Sequence, residues 1–185
     1  IRVREKEKNK LSQTDQFNRY GDAKFVEEKY INSWKMTIED ITQKETEECM
    51  RINAVAPALL IQSLINVMKN SNNTPYIISV HAREGIFQLE KGPTHIHTNM
   101  AKAALHMMTR TLIEDKTLVT HLGNRFSIHG CDPGWISVDE YYENNRPYII
   151  PPLDEIDGAA RILYPLFRKL KSSRKTQRHF EYSVY

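Results

Sequence analysis

Residues 95–105 read His-Ile-His-Thr-Asn-Met-Ala-Lys-Ala-Ala-Leu and lie in an amphipathic segment that reaches about Asp115. Apolar side chains recur along this segment at helical spacing, at Ala101, Ala104, Leu105, Met108 and Leu112. The period predicts a long helix with one buried face. Thr98 and Lys102 are four residues apart, so they lie one turn apart on a neighbouring stripe of the same helix.

A second long helix is predicted upstream. Thr42-Gln-Lys-Glu45 fits a capping box, in which the threonine hydroxyl and the glutamate side chain satisfy backbone donors at a helix start. Apolar residues then recur at roughly helical spacing from Met50 to Met68, before the polar run Asn70-Ser-Asn-Asn73. The pattern predicts a helix that begins near Gln43 and has a wide buried face.

Pro57 falls inside this second helix. Proline has no N–H to donate, and its ring crowds the carbonyl four residues back. The main-chain oxygen of Asn53 is therefore predicted to be free, with a kink in the helix at this point. A freed carbonyl of this kind can hold a water molecule.

Short strands are predicted between and after the helices. Tyr76–Val80 follows Pro75 and is rich in β-branched residues, and residues 126–131 form a similar run that stops at Asp132-Pro-Gly. Residues 180–185 are a candidate closing strand. The alternation of helix and strand predicts an α/β fold, with a partial Rossmann-like parallel sheet flanked by helices.

A last helix is expected to open at Asp154 or Glu155, with Pro165 limiting or kinking its end. We divide the chain into a charged N-terminal arm at 1–30, an α/β domain at 31–170 and a basic tail at 171–185 with a possible terminal strand. Basic residues cluster between 168 and 178 without an interleaved Phe or Tyr for base stacking. We interpret this stretch as a solvated face, so nucleic-acid binding is not the expected function.

The composition of the chain restricts the class of protein to which it can belong. The 185 residues are 40% hydrophobic and 26% charged, which suits one globular domain. Cys49 and Cys131 lie far apart and outside any Cys-x-x-Cys pair, so we expect buried thiols and no thiolate metal site. No apolar run approaches the roughly 20 residues of a membrane span, and no signal peptide is recognisable. We expect an intracellular protein, cytoplasmic in the first instance, without a membrane span.

Ordered motifs along the chain resemble the short-chain dehydrogenase/reductase family over roughly residues 30 to 170. The matching motifs are Asn53, Ala56-Pro57, Ile77-Ile-Ser79, Lys102-Ala-Ala-Leu105 and Asp132-Pro-Gly-Trp135. The family signature is Tyr-x-x-x-Lys, and Thr98 stands at the tyrosine position. The resemblance implies the C-terminal half of that fold, in an atypical or degenerate member.

The resemblance also implies roles. In that family the tyrosine is the general acid or base, the lysine holds the nicotinamide ribose, the serine polarises the carbonyl and the asparagine main chain anchors a water. The implied catalytic set in this chain is Lys102, Ser79, Asn53 and Thr98. The family's serine aligns with Ser79 or with a residue one or two positions away, because the loop before Thr98 is longer than in the family.

The same resemblance implies NAD or NADP as cofactor. The cofactor-binding residues it indicates are Lys102, Pro133, Gly134 and Ser137. The family's threonine after the Pro-Gly turn aligns with Val138, with Ser137 beside it. The seven glycines form no Gly-x-x-x-Gly-x-Gly or Gly-x-Gly-x-x-Gly loop to approach a pyrophosphate.

Thr98 is the decisive departure, since an aliphatic hydroxyl is too weak an acid for proton transfer near neutral pH. His97 lies about 140° from Lys102 on a helix, so we interpret it and His95 as structural.

Other side chains are candidate proton donors. His81 shares a strand face with Ser79 and is a candidate, although a loop histidine is the favoured interpretation. Tyr141, Tyr142 and Tyr148 are more distant candidates.

Two functions follow. The first is an atypical NAD(P)-dependent oxidoreductase acting on a small-molecule carbonyl or alcohol, and the second a catalytically inactive structural or regulatory subunit of a larger assembly. A homodimer through the two long helices is expected by analogy.

Overall fold

The computed structural model describes residues 33–115, 117–118, 126–136, 152–171 and 182–183, all within one unit of 33–138 and 150–185. Its first long helix, α1, spans Gln43–Lys69. Within α1, an α-helix at Gln43–Met50 passes through a π-helical turn at Arg51–Val55 into an α-helix at Ala56–Lys69.

The start of α1 is set by Thr42. Its side chain accepts a hydrogen bond from the Glu45 N–H at 3.2 Å, and its hydroxyl donates to Glu45 Oε2 at 3.0 Å. The capping residue and the predicted start at Gln43 are therefore confirmed. The glutamate carboxylate accepts from the threonine hydroxyl here, whereas a full capping box has it accept from the backbone.

The π turn coincides with the predicted disturbance at Pro57. The Ala56 N–H bonds to the Arg51 carbonyl, five residues back instead of four. A single wider turn accommodates the missing N–H of Pro57 without ending the helix. A π turn therefore lies at the position where the disturbance was expected, while the free Asn53 carbonyl and the kink stay predictions.

The wide buried face predicted for α1 is wrong within the described part of the chain, where none of its residues is buried. Six of its large apolar side chains are between 45% and 67% exposed: Ile52, Val55, Leu59, Leu60, Leu64 and Val67. Helical spacing predicts that a face needs covering, but it does not identify what covers it.

By length and composition, α1 is also long and apolar enough to cross a membrane. Its most apolar 18-residue window has a mean hydropathy of 1.3 and is 0% buried. We expected no membrane span because the sequence has no long uninterrupted apolar run. The helix α1 contains polar residues, but its mean hydropathy is high enough for a span. One such helix is weak evidence for a span, because core helices of soluble proteins meet the same criterion.

The sheet contains β1 (Tyr76–Val80), β2 (Ser127–Cys131) and β3 (Tyr182–Ser183), in that order and all parallel. Between β1 and β2 runs the second long helix, α2, at Ile96–Glu114, and α3 at Glu155–Lys171 precedes β3. The predicted strands, helices and parallel α/β class are confirmed, with α2 beginning two residues earlier than expected.

The two faces of the sheet carry different helices. Ile77, Ser79 and His81 are buried on one face, where the His81 ring bonds to Thr109 of α2. Cys131 lies on the opposite face, where its thiol donates to the Arg161 carbonyl of α3 at 3.3 Å. The sheet is therefore covered by α2 on one side and by α3 on the other.

Pro165 does not end α3, which continues to Lys171, so the first of the two expected effects is wrong and the kink stays a prediction. Proline at position 165 cannot bond to the carbonyl of Arg161, four residues back. The Cys131 thiol donates a hydrogen bond to that carbonyl, so the acceptor that Pro165 leaves without an N–H partner is satisfied.

Candidate functional site

The carboxyl ends of β1 and β2 lie side by side, because the strands are parallel and Val80 pairs with Cys131. Open parallel sheets bind ligands outside this edge. Lys102 reaches it from α2, since its Nζ donates to the Val80 carbonyl at 3.2 Å. The Pro133–Gly134 turn follows β2 at the same edge, so the structure places three of the predicted residues at one edge of the sheet.

Lys102 is half-buried, and the groups around it shift the pKa of its ammonium. Burial lowers the pKa of its ammonium, while the nearby Glu84, Cys49 and Asp132 act in the opposite direction. An ammonium has three N–H donors. One is used on Val80, which leaves two for a ligand at this edge.

Gly85 brings the loop after β1 against the backbone of α2. A Cβ at Gly85 would lie 2.6 Å from the Lys102 carbonyl carbon and 2.9 Å from Ala103 N, so a larger residue does not fit without a backbone shift. The Lys91 ammonium donates to the carbonyls of Arg83 at 2.9 Å and Glu84 at 3.0 Å, which holds the same loop. The sequence identified Gly85 only as a loop residue. Its close contact with the Lys102 backbone comes from the packing of the loop on α2, which sequence spacing does not predict.

The Pro133–Gly134 turn is rigidly held. The Gly134 N–H donates to Asp132 Oδ1 at 2.9 Å, and Gly134 has a φ of 83°, a conformation that favours glycine. Arg161 Nη1 donates to the Pro133 carbonyl at 3.4 Å. A Cβ at Gly134 would lie 2.8 Å from Leu153 Cδ1, so this turn has no room for a side chain.

Thr98 and Asn53 meet through a residue that the sequence did not single out for chemistry. Cys49 Sγ lies 4.0 Å from Thr98 Oγ1 and 3.7 Å from Asn53 Nδ2. The Asn53 amide also donates to the Cys49 carbonyl at 3.1 Å. These contacts join α1 to α2 one helical turn from Lys102. Cys49 is only half-buried, so of the two predicted buried thiols only Cys131 is buried.

Ser79 lies one residue before the end of β1 and is 7% exposed. It pairs with Gly130 and shares its face with His81, as the period of a strand predicted. Within the described residues its hydroxyl makes no hydrogen bond to Thr98 or Lys102. The role implied for Ser79 stays a prediction.

His81 directly follows β1, outside the strand as the favoured interpretation had it, and it is buried. Its Nε2 lies 3.0 Å from Thr109 Oγ1, and its ring stacks on His106 at a centroid distance of 3.9 Å. Because the Thr109 hydroxyl donates to the Leu105 carbonyl, the His81 nitrogen acts as the donor in this pair. Burial, then His106 and Lys102, lowers the pKa of His81 to about 3. Its N–H is thus held in the core.

His95 and His97 have structural environments, as we interpreted them. His95 has a φ of 64° at the start of α2, and its ring meets Trp34 edge-on at 4.3 Å. His97 is 5% exposed, and burial lowers the pKa of its ring.

Several predicted groups lie outside the described residues: Ser137, Val138, Tyr141, Tyr142 and Tyr148. The arm at 1–30 lies outside them as well, as does most of the basic stretch.

A groove of about 460 Å³ lies between residues 37–39 and 92–99, and none of the predicted catalytic residues lines it. In the described part of the chain, no three His, Cys, Asp or Glu side chains are grouped to hold a metal ion.

No family model matches the chain. An uncharacterized protein of Acanthamoeba polyphaga mimivirus is 39% identical over 162 residues, which cover 85% of this chain and 34% of that protein. The chain thus spans about one third of the length of this relative.

Three solved structures share the fold. Carbonyl reductase Sniffer of D. melanogaster is 19% identical with a TM-score of 0.54, over 69% of this chain and 52% of that one. NADPH-bound carbonyl reductase from chicken fatty liver is 22% identical with a TM-score of 0.54, over 72% and 53%. The Pseudomonas aeruginosa RhlG/NADP complex is 20% identical with a TM-score of 0.55, over 72% and 56%. The chain therefore has a partial short-chain dehydrogenase-like fold, and it spans about half the length of these structures.

Proposed function

We propose that this chain forms the substrate-side half of an atypical NAD(P)-dependent oxidoreductase that acts on a carbonyl or an alcohol. The observation that carries the proposal is the position of the Lys102 ammonium, which lies at the carboxyl edge of the sheet beside the Pro133–Gly134 turn. Two neighbours with the same fold are described as carbonyl reductases, and two are described with NADPH or NADP.

The residues at this edge fit the nicotinamide end of a dinucleotide. The two N–H donors of Lys102 that Val80 does not use suit ribose hydroxyls. The space on the Cβ side of Gly134 is filled by Leu153 and Arg161 of this chain, so we assign the Pro133–Gly134 turn no contact with the nicotinamide ring through that space. When bound, such a cofactor supplies or accepts a hydride. The chain contributes no glycine-rich loop for the pyrophosphate, so we assign that contact to another part of the intact protein.

The remaining residues position water and substrate in this proposal. The π turn disturbs the backbone bonding around Asn53, whose carbonyl is the proposed anchor for a water. The Ser79 hydroxyl is the proposed group that polarises a carbonyl. The Thr98 hydroxyl contacts Cys49 and is too weak an acid to transfer a proton, so we give it a positioning role only.

A second function is favoured by a specific observation at the same place. Thr98 stands at the position of the family's tyrosine, and its hydroxyl contacts the Cys49 thiol, so residue 98 itself supplies no phenol. A protein that keeps the lysine and lacks the acid fits a catalytically inactive subunit of a homodimer or a larger assembly.

Oxidation of NADH and NADPH by the intact protein, followed at 340 nm across a panel of aldehydes and ketones, separates the two functions. Turnover that disappears in Lys102→Ala and persists in Lys69→Ala supports the oxidoreductase, because Lys69 is an exposed lysine at the far end of α1. Dinucleotide binding without turnover of any substrate supports the inactive subunit and contradicts the enzyme.

A further inference from the structure

The Lys102 ammonium is held by the backbone at the end of β1. In the described part of the chain, its Nζ donates to the Val80 carbonyl at 3.2 Å. A peptide group is planar and trans, so the Val80 carbonyl and the His81 N–H belong to one planar unit and point in opposite directions. The His81 N–H donates to the Cys131 carbonyl of β2 at 2.8 Å. The Val80 carbonyl is therefore directed away from β2, and Lys102 reaches it there.

The two residues that share this peptide group differ in burial. Val80 is the last residue of β1 and is 39% exposed, so its side chain does little to fix the group. His81, on the other side of the peptide bond, is 3% exposed. The position of the Val80 carbonyl therefore depends on how firmly His81 is held.

The His81 ring is held by the helix that carries Lys102. Its Nε2 lies 3.0 Å from Thr109 Oγ1, and the ring stacks on His106 with a centroid distance of 3.9 Å and an interplanar angle of 25°. Lys102, His106 and Thr109 follow one another at spacings of four and three residues, so they lie on one face of α2. The helix α2, the His81 ring, the Val80 carbonyl and the Lys102 ammonium thus form a closed set of contacts.

The strand β2 confines the same ring. A Cβ at Gly130 would overlap the His81 ring, so the ring occupies space that only a glycine leaves open at that position. Gly130 pairs with Ser79, two residues before His81, in the register of the sheet. The ring is therefore confined by β2 as well as by α2.

A histidine suits this position better than an apolar residue of similar size. The Thr109 hydroxyl donates to the Leu105 carbonyl, so it accepts from His81, whose Nε2 supplies the N–H. Burial, then His106 and Lys102, lowers the pKa of His81 to about 3. The ring is therefore neutral at pH 7 and adds no positive charge beside the Lys102 ammonium.

We propose that His81 is a positioning residue for Lys102. Its ring fixes the peptide group whose carbonyl receives the ammonium, and this sets the direction of the two N–H donors that Val80 does not use. The consequence for cofactor binding rests on the proposed function, whereas the position of the ammonium does not. A histidine that only filled the core would contribute to stability and have no effect on where the Lys102 ammonium lies.

Crystal structures of the intact protein and its variants test the position of the ammonium without cofactor. In His81→Leu, the apolar side chain cannot donate to Thr109, and we expect Lys102 Nζ to lie more than about 3.5 Å from the Val80 oxygen. In His81→Gln, whose amide can donate to Thr109, we expect the distance to return to hydrogen-bond range. The same distance in His81→Leu as in the natural chain would overturn the proposal.

Ile128→Ala is the control for a general loss of core packing. Ile128 is 7% exposed within β2 and pairs with Ile77, three residues before Val80. We expect this variant to lower Tm by about 5 °C or more and to leave the Lys102 ammonium on the Val80 carbonyl. Equal displacement of the ammonium in Ile128→Ala and His81→Leu would show that any core loss moves Lys102, and would overturn the proposal.

Two further measurements apply if His81→Leu does not fold. Thr109→Val removes the same hydrogen bond from the side of α2, and an ammonium that stays on Val80 in this variant would contradict the proposal. In the natural chain, the ¹⁵N shifts of the His81 ring report its tautomer at pH 7. We expect the proton on Nε2, and a proton on Nδ1 alone would overturn the proposal, because His81 then could not donate to Thr109.

Fluorescence titration with NADPH separates the positioning role from the proposed function. We expect the Kd to rise about fivefold or more in His81→Leu and to recover in His81→Gln, because the Lys102 donors are then redirected. Absence of binding by the natural chain would contradict the proposed function, and the crystal structures would still decide the position of the ammonium. Equal affinity of the natural chain and His81→Leu would contradict the positioning role.

Discussion

The packing around His81 and the packing along α1 differ sharply, although both regions are rich in apolar residues. Around His81, the ring stacks on His106, bonds to Thr109 and fills the space over Gly130. Along α1, no residue is buried in the described part of the chain. The first region obtains its neighbours from α2 and β2, which follow it in sequence.

This difference shows where the described half of the fold is complete. The sheet is covered on the side of α2 and extended by β2 and β3, all of which come after β1 in the chain. The apolar flank of α1, formed by Ile52, Val55, Leu59, Leu60, Leu64 and Val67, is exposed in the described part of the chain. The candidate site around Lys102 lies within the completed part.

The largest effect is expected in the packed region, from Gly130→Ala. A Cβ there would overlap the His81 ring, which would have to leave Thr109 and His106. We expect the free energy of unfolding to fall by about 3 kcal/mol, measured by urea denaturation. Gly92→Ala is the control, because nothing lies within 4 Å of a Cβ at Gly92 and its effect should stay within about 0.5 kcal/mol. Equal losses would show that His81 is not tightly packed.

Acid should weaken the same region by a smaller amount. The pKa of His81 falls from 6.5 to about 3 on folding, so the unfolded chain binds a proton at a pH where the folded chain does not. Stability is therefore fully present above pH 6.5 and is lost as pH falls towards 3. We expect a loss of about 2 kcal/mol between pH 7 and pH 5 from this group.

Denaturant titration at several pH values measures this dependence, and burial also lowers the pKa of His97 and His106, which act in the same direction. His81→Gln removes the titrating group and keeps an amide donor for Thr109. The pH dependence of this variant should be shallower than that of the natural chain. An unchanged slope would mean that the His81 ring titrates normally.

The smallest effect is expected in α1, from Thr42→Ala. This change removes the side chain that caps Glu45 N–H and should cost about 1 kcal/mol of unfolding free energy. Thr111→Ala is the matched control, because the Thr111 hydroxyl donates to the Met107 carbonyl within its own helix and caps no helix end. Thermal denaturation should show a lower Tm for Thr42→Ala alone, and the reverse order would contradict the assigned helix start.

Local signals in the sequence predicted the elements of the fold well. Thr42 located the start of α1, and the β-branched run at Tyr76–Val80 located β1, because caps and strand propensity act over a few residues. Pro57 indicated a disturbance at Asn53, where the structure has a π turn, whereas the free carbonyl and the kink stay predictions. Pro165 was misleading, since the carbonyl it leaves open is satisfied by Cys131, which is distant in sequence.

The candidate site was predicted in part. Lys102 and the Pro133–Gly134 turn were named from the family resemblance, and the structure has both at the carboxyl ends of β1 and β2. The contact of Cys49 with Thr98 and the enclosure of His81 were not predicted, since each joins residues that only the packing of helices brings together. The uncovered flank of α1 was missed for the same reason, because amphipathic spacing does not specify a partner.

The central claim is that Lys102 holds a nicotinamide cofactor at the carboxyl edge of the sheet. Fluorescence titration of the intact protein with NADPH and NADH tests it most directly, with Lys102→Ala and the control Lys69→Ala measured beside it. The account predicts binding that weakens about tenfold or more in Lys102→Ala, because a charge-assisted hydrogen bond is lost, and that is unchanged in Lys69→Ala. Absence of binding, or equal affinity of the two variants, would contradict it.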